Sequence, residues 1–394
     1  METLGLYVSI PFCRSKCTYC NFASGVFPLS SMDRYLERLE EDIRSMRDQA
    51  ARWGARIPEV VDTIYLGGGT PSLLSPVQMR RLFATLRREF AVLPSAEITV
   101  ECAPGQIDDG VLAAMAECGV NRISFGVQSF VDDEARHTGR LHTREIAQTD
   151  VERVRRAGIK RINLDLIAGL PGQTRSSWRE SLEVLIGADP DHASIYMLEV
   201  DDESRLGREI GSGGLKYYAP QVPSDDAIAE MYGDACGFLD QHGVAQYEIS
   251  NFARAGAASR HNMKYWTRDP YLGLGLDSHS MLRSGSDRAV RVATTDNLES
   301  YLAAPGWRDV RTLTPDEELE EAWFLGLRLN RGVSLGELEA EFGTASVLGF
   351  EHVLVDLECE ELIERAPDRV TLTRRGRLIS NDVFARFLLD PAVR

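Results

Sequence analysis

The sequence lacks any apolar run long enough to cross a bilayer. It also lacks a basic, then apolar, leader ahead of its first strand. Neither a membrane span nor a secretory signal is therefore expected. Basic side chains are in deficit, 44 against 60 acidic ones, for a formal net charge of −16. A surface of that sign disfavours nucleic acid as a partner and does not draw anionic lipid by charge alone. Cysteine is sparse: seven in 394 residues, of which Cys102, Cys118, Cys236 and Cys359 stand singly. No second C-x2-C pair exists to complete a four-thiolate zinc site. The apolar and charged fractions, 43% and 26%, are those of a soluble globular chain of two or three domains.

The remaining three cysteines stand together. Pro11-Phe12-Cys13-Arg14-Ser15-Lys16-Cys17-Thr18-Tyr19-Cys20-Asn21-Phe22 carries a C-x3-C-x2-C spacing directly after the alternating run Leu6–Ile10. That run reads as a strand, so the thiols fall on the loop leaving it. Thiols this close in a chain without a leader point to metal more than to disulfides, and to a reducing cytoplasm. Zinc is the plain alternative, but three thiolates suit a [4Fe–4S] cluster with one iron left open for a small molecule.

Further on, strands and helices alternate. Apolar runs near residues 60–66, 97–101, 122–127, 162–167 and 193–198 are separated by stretches with helical periodicity, such as Met32, Tyr35, Leu36, Leu39, Ile43 and Met46. Ser75-Pro76 supplies a cap and a first-turn proline for one of these helices. Six short βα units predict an α/β fold with a parallel sheet closed into a partial (β/α)6 barrel. Ligand-binding groups then belong at the C-terminal ends of the strands. Gly67-Gly68-Gly69-Thr70 ends the second strand, Glu101 the third, and Gln128 follows the fourth. Arg140 lies in the loop beyond, and Asp165 late in the fifth. Singly each has an ordinary explanation as turn, cap or surface charge; together they mark one barrel mouth.

The cysteine spacing, with Tyr7 ahead of it and Tyr19 just before the last thiol, resembles the signature of radical S-adenosylmethionine (SAM) enzymes. The resemblance implies that Cys13, Cys17 and Cys20 hold a [4Fe–4S] cluster whose open iron chelates SAM. It implies that the turn at Gly68, Gly69 and Thr70 meets the SAM amino group. Glu101 and Arg140 would take the methionine end, and Gln128 and Asp165 the ribose. Tyr7 and Tyr19 are counted with these cofactor contacts. Within this family, Leu66–Pro71, Ser124–Phe130 and Gly169–Thr174 resemble the oxygen-independent coproporphyrinogen III oxidase group over nearly the whole chain.

That group has two branches, a decarboxylating oxidase and a heme chaperone. The oxidase pattern has a fourth cysteine where this chain has Phe22, and a long segment before the first strand where only five residues precede Leu6. The chaperone branch has a His-Asn-x-x-Tyr motif taken to hold heme, here His261-Asn262-Met263-Lys264-Tyr265. Imidazole and phenolate are both axial ligands of heme iron. The glycine-punctuated stretch Tyr271–Ser280 reads as a turn closing against the adenosine, and its His279 is the neighbouring donor able to take over the iron from His261. The resemblance thus implies heme and heme-accepting apoproteins as partners, and leaves room for a homodimer and peripheral membrane contact. Two departures stand out: Cys102-Ala103-Pro104 where the family prefers Asn-Pro, and a polar Asp277-Ser278 before His279.

Three regions are expected: the barrel over 1–205, an accessory region over 206–310 with the His-Asn-x-x-Tyr motif, and a C-terminal domain over 311–394. In the accessory region, Gly207–Gly214 reads as a loop and 245–250 as a strand. The C-terminal pattern of helices, then a hairpin turning at Pro367-Asp368, resembles a winged helix. Residues 316–364 nevertheless hold fourteen acidic side chains and two basic ones. DNA needs the opposite sign, so a packing or docking module is expected. Cys118 reads as core, Cys236 and Cys359 as buried thiols, and His192 and His242 as solvent-facing.

Overall fold

The computed structural model describes residues 2–28 and 30–388; the end of the C-terminal region, 389–394, lies outside them. Its frame is one thirteen-stranded sheet. The first seven strands are β1 (Leu4–Ile10), β2 (Ala55–Arg56), β3 (Val60–Gly68), β4 (Ala91–Cys102), β5 (Arg122–Gln128), β6 (Arg161–Ala168) and β7 (His192–Met197). All but β2 lie side by side in chain order and run parallel. These are the six strands expected, joined by helices such as Ser30–Arg52 and Pro76–Glu89. The second helix starts as its sequence predicts: Ser75 and Gln78 form a reciprocal capping box, with Pro76 in the first turn.

Strands beyond residue 205 extend both edges of this sheet. β8 (Ala245–Gln246) and β9 (Asn251–Ala253) add antiparallel beyond β7. β10 (Tyr271–Leu274) adds parallel to β1, a seventh parallel strand. β11 (His279–Ser284), β12 (Ala289–Thr294) and β13 (Trp307–Thr312) continue from it antiparallel, and β2 pairs with β11. The run 245–250 is thus not one strand. It bends after Gln246, and the Tyr247 amide returns to Asn251 O at 3.1 Å. The glycine-rich 207–214 is largely helical, over Arg205–Ser212, capped by Ser204 and ended by Gly213 in the left-handed region. Gly207 is needed there for closeness, since a Cβ would sit 2.1 Å from Asp201 O.

Alternation decides what the barrel encloses. Leu4, Leu6, Val8 and Ile10 of β1, with Ile64, Leu66, Ile98, Val100, Ile123, Phe125, Ile162 and Leu164, are buried in the main apolar core. The residues between them are mostly polar: Tyr7 pairs in register with Tyr65, Ser9 with Gly67, Glu101 with Ser124, and Gly126 with Asp165. Side chains in an inner layer stack and bond across strands. Tyr7 stacks on Tyr65 at 6.1 Å between centroids, and Ser124 Oγ donates to Asp165 at 3.2 Å. The lumen is therefore a polar chamber, unlike the apolar filling of a closed barrel.

A short helix, Arg260–Trp266, closes the lower end of this chamber. It is bonded to two barrel strands: the His261 amide to Glu97 of β4 at 3.1 Å, and Lys264 to Asp62 near the start of β3 at 2.9 Å. His192, expected to face solvent, is instead buried at the first position of β7. Its nitrogens bond Asn163 Oδ1 at 2.7 Å and Tyr247 OH at 2.9 Å. A histidine beside a turn faces inward here because the strand alternation begins with it.

The C-terminal region has its own core around Trp323, Phe350 and Phe387. Helices Pro315–Leu327, Leu335–Phe342, Thr344–Leu348 and Glu351–Cys359 surround a small sheet of β14 (Val333–Ser334), β15 (Ile363–Ala366) and β16 (Arg369–Leu372). The hairpin is where it was expected. The helical stretch before the hairpin breaks at Gly349-Phe350, and Cys359, at its exposed end, is not a buried thiol. Among the described residues no helix is long and apolar enough to cross a membrane.

Candidate cofactor site

The loop that leaves β1 carries the three thiols and is tied down from three sides. Its own ends are stitched by Cys13 N to Gly25 O and Gly25 N to Pro11 O, both 2.9 Å. The loop after β5 holds it through Thr18 N to Thr138 O at 3.0 Å and Ser15 Oγ to Gly139 O at 3.0 Å. The helix at 205 bonds it from the far edge, Leu206 N to Thr18 O at 2.9 Å. Cys17 is buried, and Cys13 and Cys20 are partly exposed. Burial pushes the Cys13 and Cys20 thiols up, and neighbouring cysteines add to it. Arg140 donates to Cys17 Sγ at 3.6 Å and Thr70 to Cys13 Sγ at 3.8 Å.

Among the described residues no group of His, Cys, Asp and Glu could hold a single metal ion. A cubane cluster asks for something else, since each thiolate binds a different corner iron. Three free thiols on one pinned loop, two with hydrogen-bond donors on their sulfurs, fit that group. A lone zinc fits them less well.

The glycine turn at the end of β3 lies against this loop. Gly69 N donates to Ile10 O at 3.0 Å and Thr70 N to Phe12 O at 2.8 Å. A Cβ at Gly69 would come within 2.9 Å of Ile10 O, Phe12 O and Phe12 N, all backbone. Gly68, at φ +96°, faces the Tyr7 hydroxyl. The closeness needs bare glycine.

Beyond the turn, the inner layer supplies polar groups. Tyr65 OH donates to Glu101 Oε1 at 2.9 Å, and burial raises the Glu101 carboxyl to about 7. Asp165 accepts from Asn163 Nδ2 at 2.6 Å and from Ser124, and burial pushes its carboxyl up as well. Gln128 sits at φ +70°, and its buried Oε1 has no hydrogen-bond partner among the described residues. Such an orphan acceptor marks a place where a bound molecule completes the bonding. Arg140 also bonds Gly126 O. A Cβ at Gly126 would lie 3.0 Å from Gln128 Nε2 and 3.1 Å from Arg140 Nη2. Tyr19 packs beside Cys17, with burial raising its hydroxyl.

The motif histidine lies in the chamber wall, not outside the barrel as its late sequence position suggests. His261 is 1% exposed, its Nδ1 2.9 Å from Thr63 Oγ1 and its Nε2 2.8 Å from Tyr265 OH. Its ring stacks on Tyr65 at 5.3 Å. Burial, reinforced by Lys264, lowers it to about 3, so the imidazole is neutral. Tyr265 also lines a cleft of about 330 Å³ beside the thiol loop that opens onto the chamber, shared with Tyr7, Phe22, Gly68, Tyr271 and His279. Tyr65, Ser124 and Asn163 were missed by the sequence reading. The period-two alternation through Thr63, Tyr65 and Gly67 was the signal for the first of them.

A barrel of parallel strands, an orphaned polar mouth and a pinned three-thiol loop define a radical SAM protein. Comparison with known proteins agrees: a model described as the Radical SAM superfamily matches residues 7–185, and one described as the HemN C-terminal domain matches residues 313–379. The chain is 36% identical over 387 residues to the heme chaperone HemW of Bacillus subtilis, covering 97% of this chain and 98% of that one. It is 29% identical to the heme chaperone HemW of Escherichia coli, over 99% of each. The fold matches coproporphyrinogen III oxidase (HemN) from E. coli with a TM-score of 0.84 at 24% identity, covering 98% of this chain and 90% of the other. Within the superfamily, this chain belongs to the HemW family. Membership of the superfamily brings SAM and a [4Fe–4S] cluster as cofactors.

Proposed function

We propose that this protein is a heme chaperone: it binds heme, passes it to apoproteins, and carries a SAM-ligated [4Fe–4S] cluster. The observation that carries this reading is its end-to-end likeness to proteins named heme chaperone HemW. Phe22 supports it, being a 64% exposed phenyl at the place where the oxidase pattern has a fourth cysteine. The likeness to HemN concerns the fold. Cys13, Cys17 and Cys20 hold the cluster in this reading. Glu101 and Arg140 hold the methionine end of SAM, and Gln128 and Asp165 its ribose. When bound, the pair of cofactors supplies one-electron chemistry; the chain orients SAM and keeps water from the chamber.

Two measurements on one anaerobically reconstituted sample test the function. Heme should bind with a visible Soret band, and coproporphyrinogen III should not be decarboxylated with SAM and reductant present. Turnover to the divinyl product would overturn the reading and establish the oxidase. A second expectation concerns SAM. Gln128→Ala and Asp165→Ala should each weaken its binding by about 1–3 kcal/mol with iron content unchanged. Equilibrium dialysis against labelled SAM checks this, and unaltered affinity in both variants would remove these residues from the ribose.

A further inference from the structure

Gln128 and Arg140, which take SAM in the proposed reading, stand at the two ends of the loop that leaves β5. Between them, the Thr138 and Gly139 carbonyls hold the thiol loop. The middle of this loop is held by one buried carboxylate. We infer that Glu134 is a positioning residue for SAM. It clasps the loop after β5 to the end of β6, and so keeps Gln128 in the backbone conformation that presents its side chain. The inference rests on the assignment of Gln128 to SAM.

Glu134 lies in the short helix Asp132–His137 and is 4% exposed. Its Oε2 accepts from Ser129 Oγ at 2.6 Å and from Gln173 Nε2 at 3.2 Å. Ser129 directly follows Gln128, and its hydroxyl also accepts from Val131 N at 2.9 Å. Between these two, Phe130 N donates to Ser181 Oγ at 3.1 Å, on the helix Arg175–Gly187. Gln173 belongs to the Gly169–Thr174 phrase. Its Oε1 accepts from Gly169 N at 2.6 Å and Leu170 N at 3.3 Å, while its Nε2 also donates to Ile167 O at 3.2 Å. One carboxylate oxygen thus joins two strand ends through buried neutral donors.

Gln128 needs such holding. At φ +70° it occupies a region that residues other than glycine enter at a cost, and keep only where their surroundings over-determine them. The pairing of β5 with β6 is irregular at the same place, its register shifting between Gly126 and Gln128. The bonds on Ser129, Phe130 and Val131 fix the chain immediately after Gln128. At the far end of the loop, Arg140 N donates to Ala135 O at 3.0 Å, so the residue next to Glu134 sets where Arg140 begins. Glu134 itself touches no cofactor in this account; it acts through Gln128 and Arg140. Loss of the carboxylate strands the Ser129 hydroxyl in a dry interior, where an unpaired donor is costly. The loop then shifts to satisfy it, and SAM must reorder Gln128 on binding.

The test is SAM affinity of the reconstituted full chain, measured by equilibrium dialysis at matched iron content. Glu134→Ala should weaken SAM binding about tenfold. Glu134→Gln should restore most of that loss, because both bonds fall on one oxygen, which the amide retains. Ser129→Ala, a smaller change that spares the carboxylate, should weaken binding about threefold, and carries the test if Glu134→Ala does not fold. Coupling separates positioning from a merely structural role. In a Gln128→Ala background the loss from either substitution should shrink to about threefold or less for Glu134→Ala and vanish for Ser129→Ala, since residues acting through one another are not additive. Losses that add in full, or affinity unchanged in both single variants, would overturn the inference and leave Gln128 assigned to SAM. Unchanged affinity in Gln128→Ala itself would remove that assignment, and this inference with it.

Discussion

Cys17→Ala should leave the chain without a cluster, iron falling from about four per chain after anaerobic reconstitution to background. Cys17 is the buried member of the triplet, and Arg140 and Tyr19 surround its sulfur. Loss of its thiolate leaves two donors, and no other described side chain stands ready to replace it. Phe22 carries no donor atom. Cys102, at the end of β4, is buried and its thiol is pushed far up by that burial, so it stays protonated. Cys102→Ala is therefore the matched control and should keep full iron content and a SAM-sensitive EPR signal. Iron analysis with EPR decides: a SAM-responsive cluster in Cys17→Ala would sink the three-thiolate assignment, as would tight zinc without iron in the wild type.

How much of this was legible beforehand divides by range along the chain. The thiol loop and the glycine turn are local: spacing, a strand before and a turn after were all in view, and the fold places them where spacing put them. The six parallel strands were legible because each is a short apolar run followed by helical periodicity. What escaped depends on contacts between distant segments. That β10 continues the sheet beside β1, through Gly5 opposite Tyr271, follows from no pattern within either strand. With that pairing unknown, His261 looked peripheral, although the chain around it seals the chamber. The helix at Arg205–Ser212 was hidden by glycines that signal turns; burial of Leu206 and Glu209 outweighs their low propensity. The buried Glu248, which meets Arg328 at 3.4 Å, likewise joins segments eighty residues apart.

Such distant packing also makes Glu101 an unusually weak acid, and with it comes the second large effect. A carboxyl that titrates near 4.5 when unfolded and at about 7 when folded keeps its proton longer in the native state. Between those two values the native chain binds more protons than the unfolded one, so stability falls as pH rises. Above about 7 the loss is complete, and the shift corresponds to roughly 3 kcal/mol. The main cause is burial, with the Asp165 charge adding to it and the Tyr65 hydrogen bond opposing it. A cationic ammonium group placed against the carboxylate would offset that cost. If Glu101 takes the SAM amino group, SAM affinity should climb with pH through the same window and level off above it. Glu101→Gln should therefore act in opposite directions on two readouts. It should raise the melting temperature of the cofactor-free chain at pH 8, where the buried charge is gone, and leave stability flatter between pH 5 and 7. It should also weaken SAM binding and remove its pH dependence. Calorimetry of the cofactor-free chain and dialysis of the reconstituted one separate the two. A melting temperature unaltered at pH 8 would show that Glu101 is not held neutral by burial. A pH-dependent SAM affinity that survives the substitution would place the responsible carboxylate elsewhere, with Asp165 the next to test.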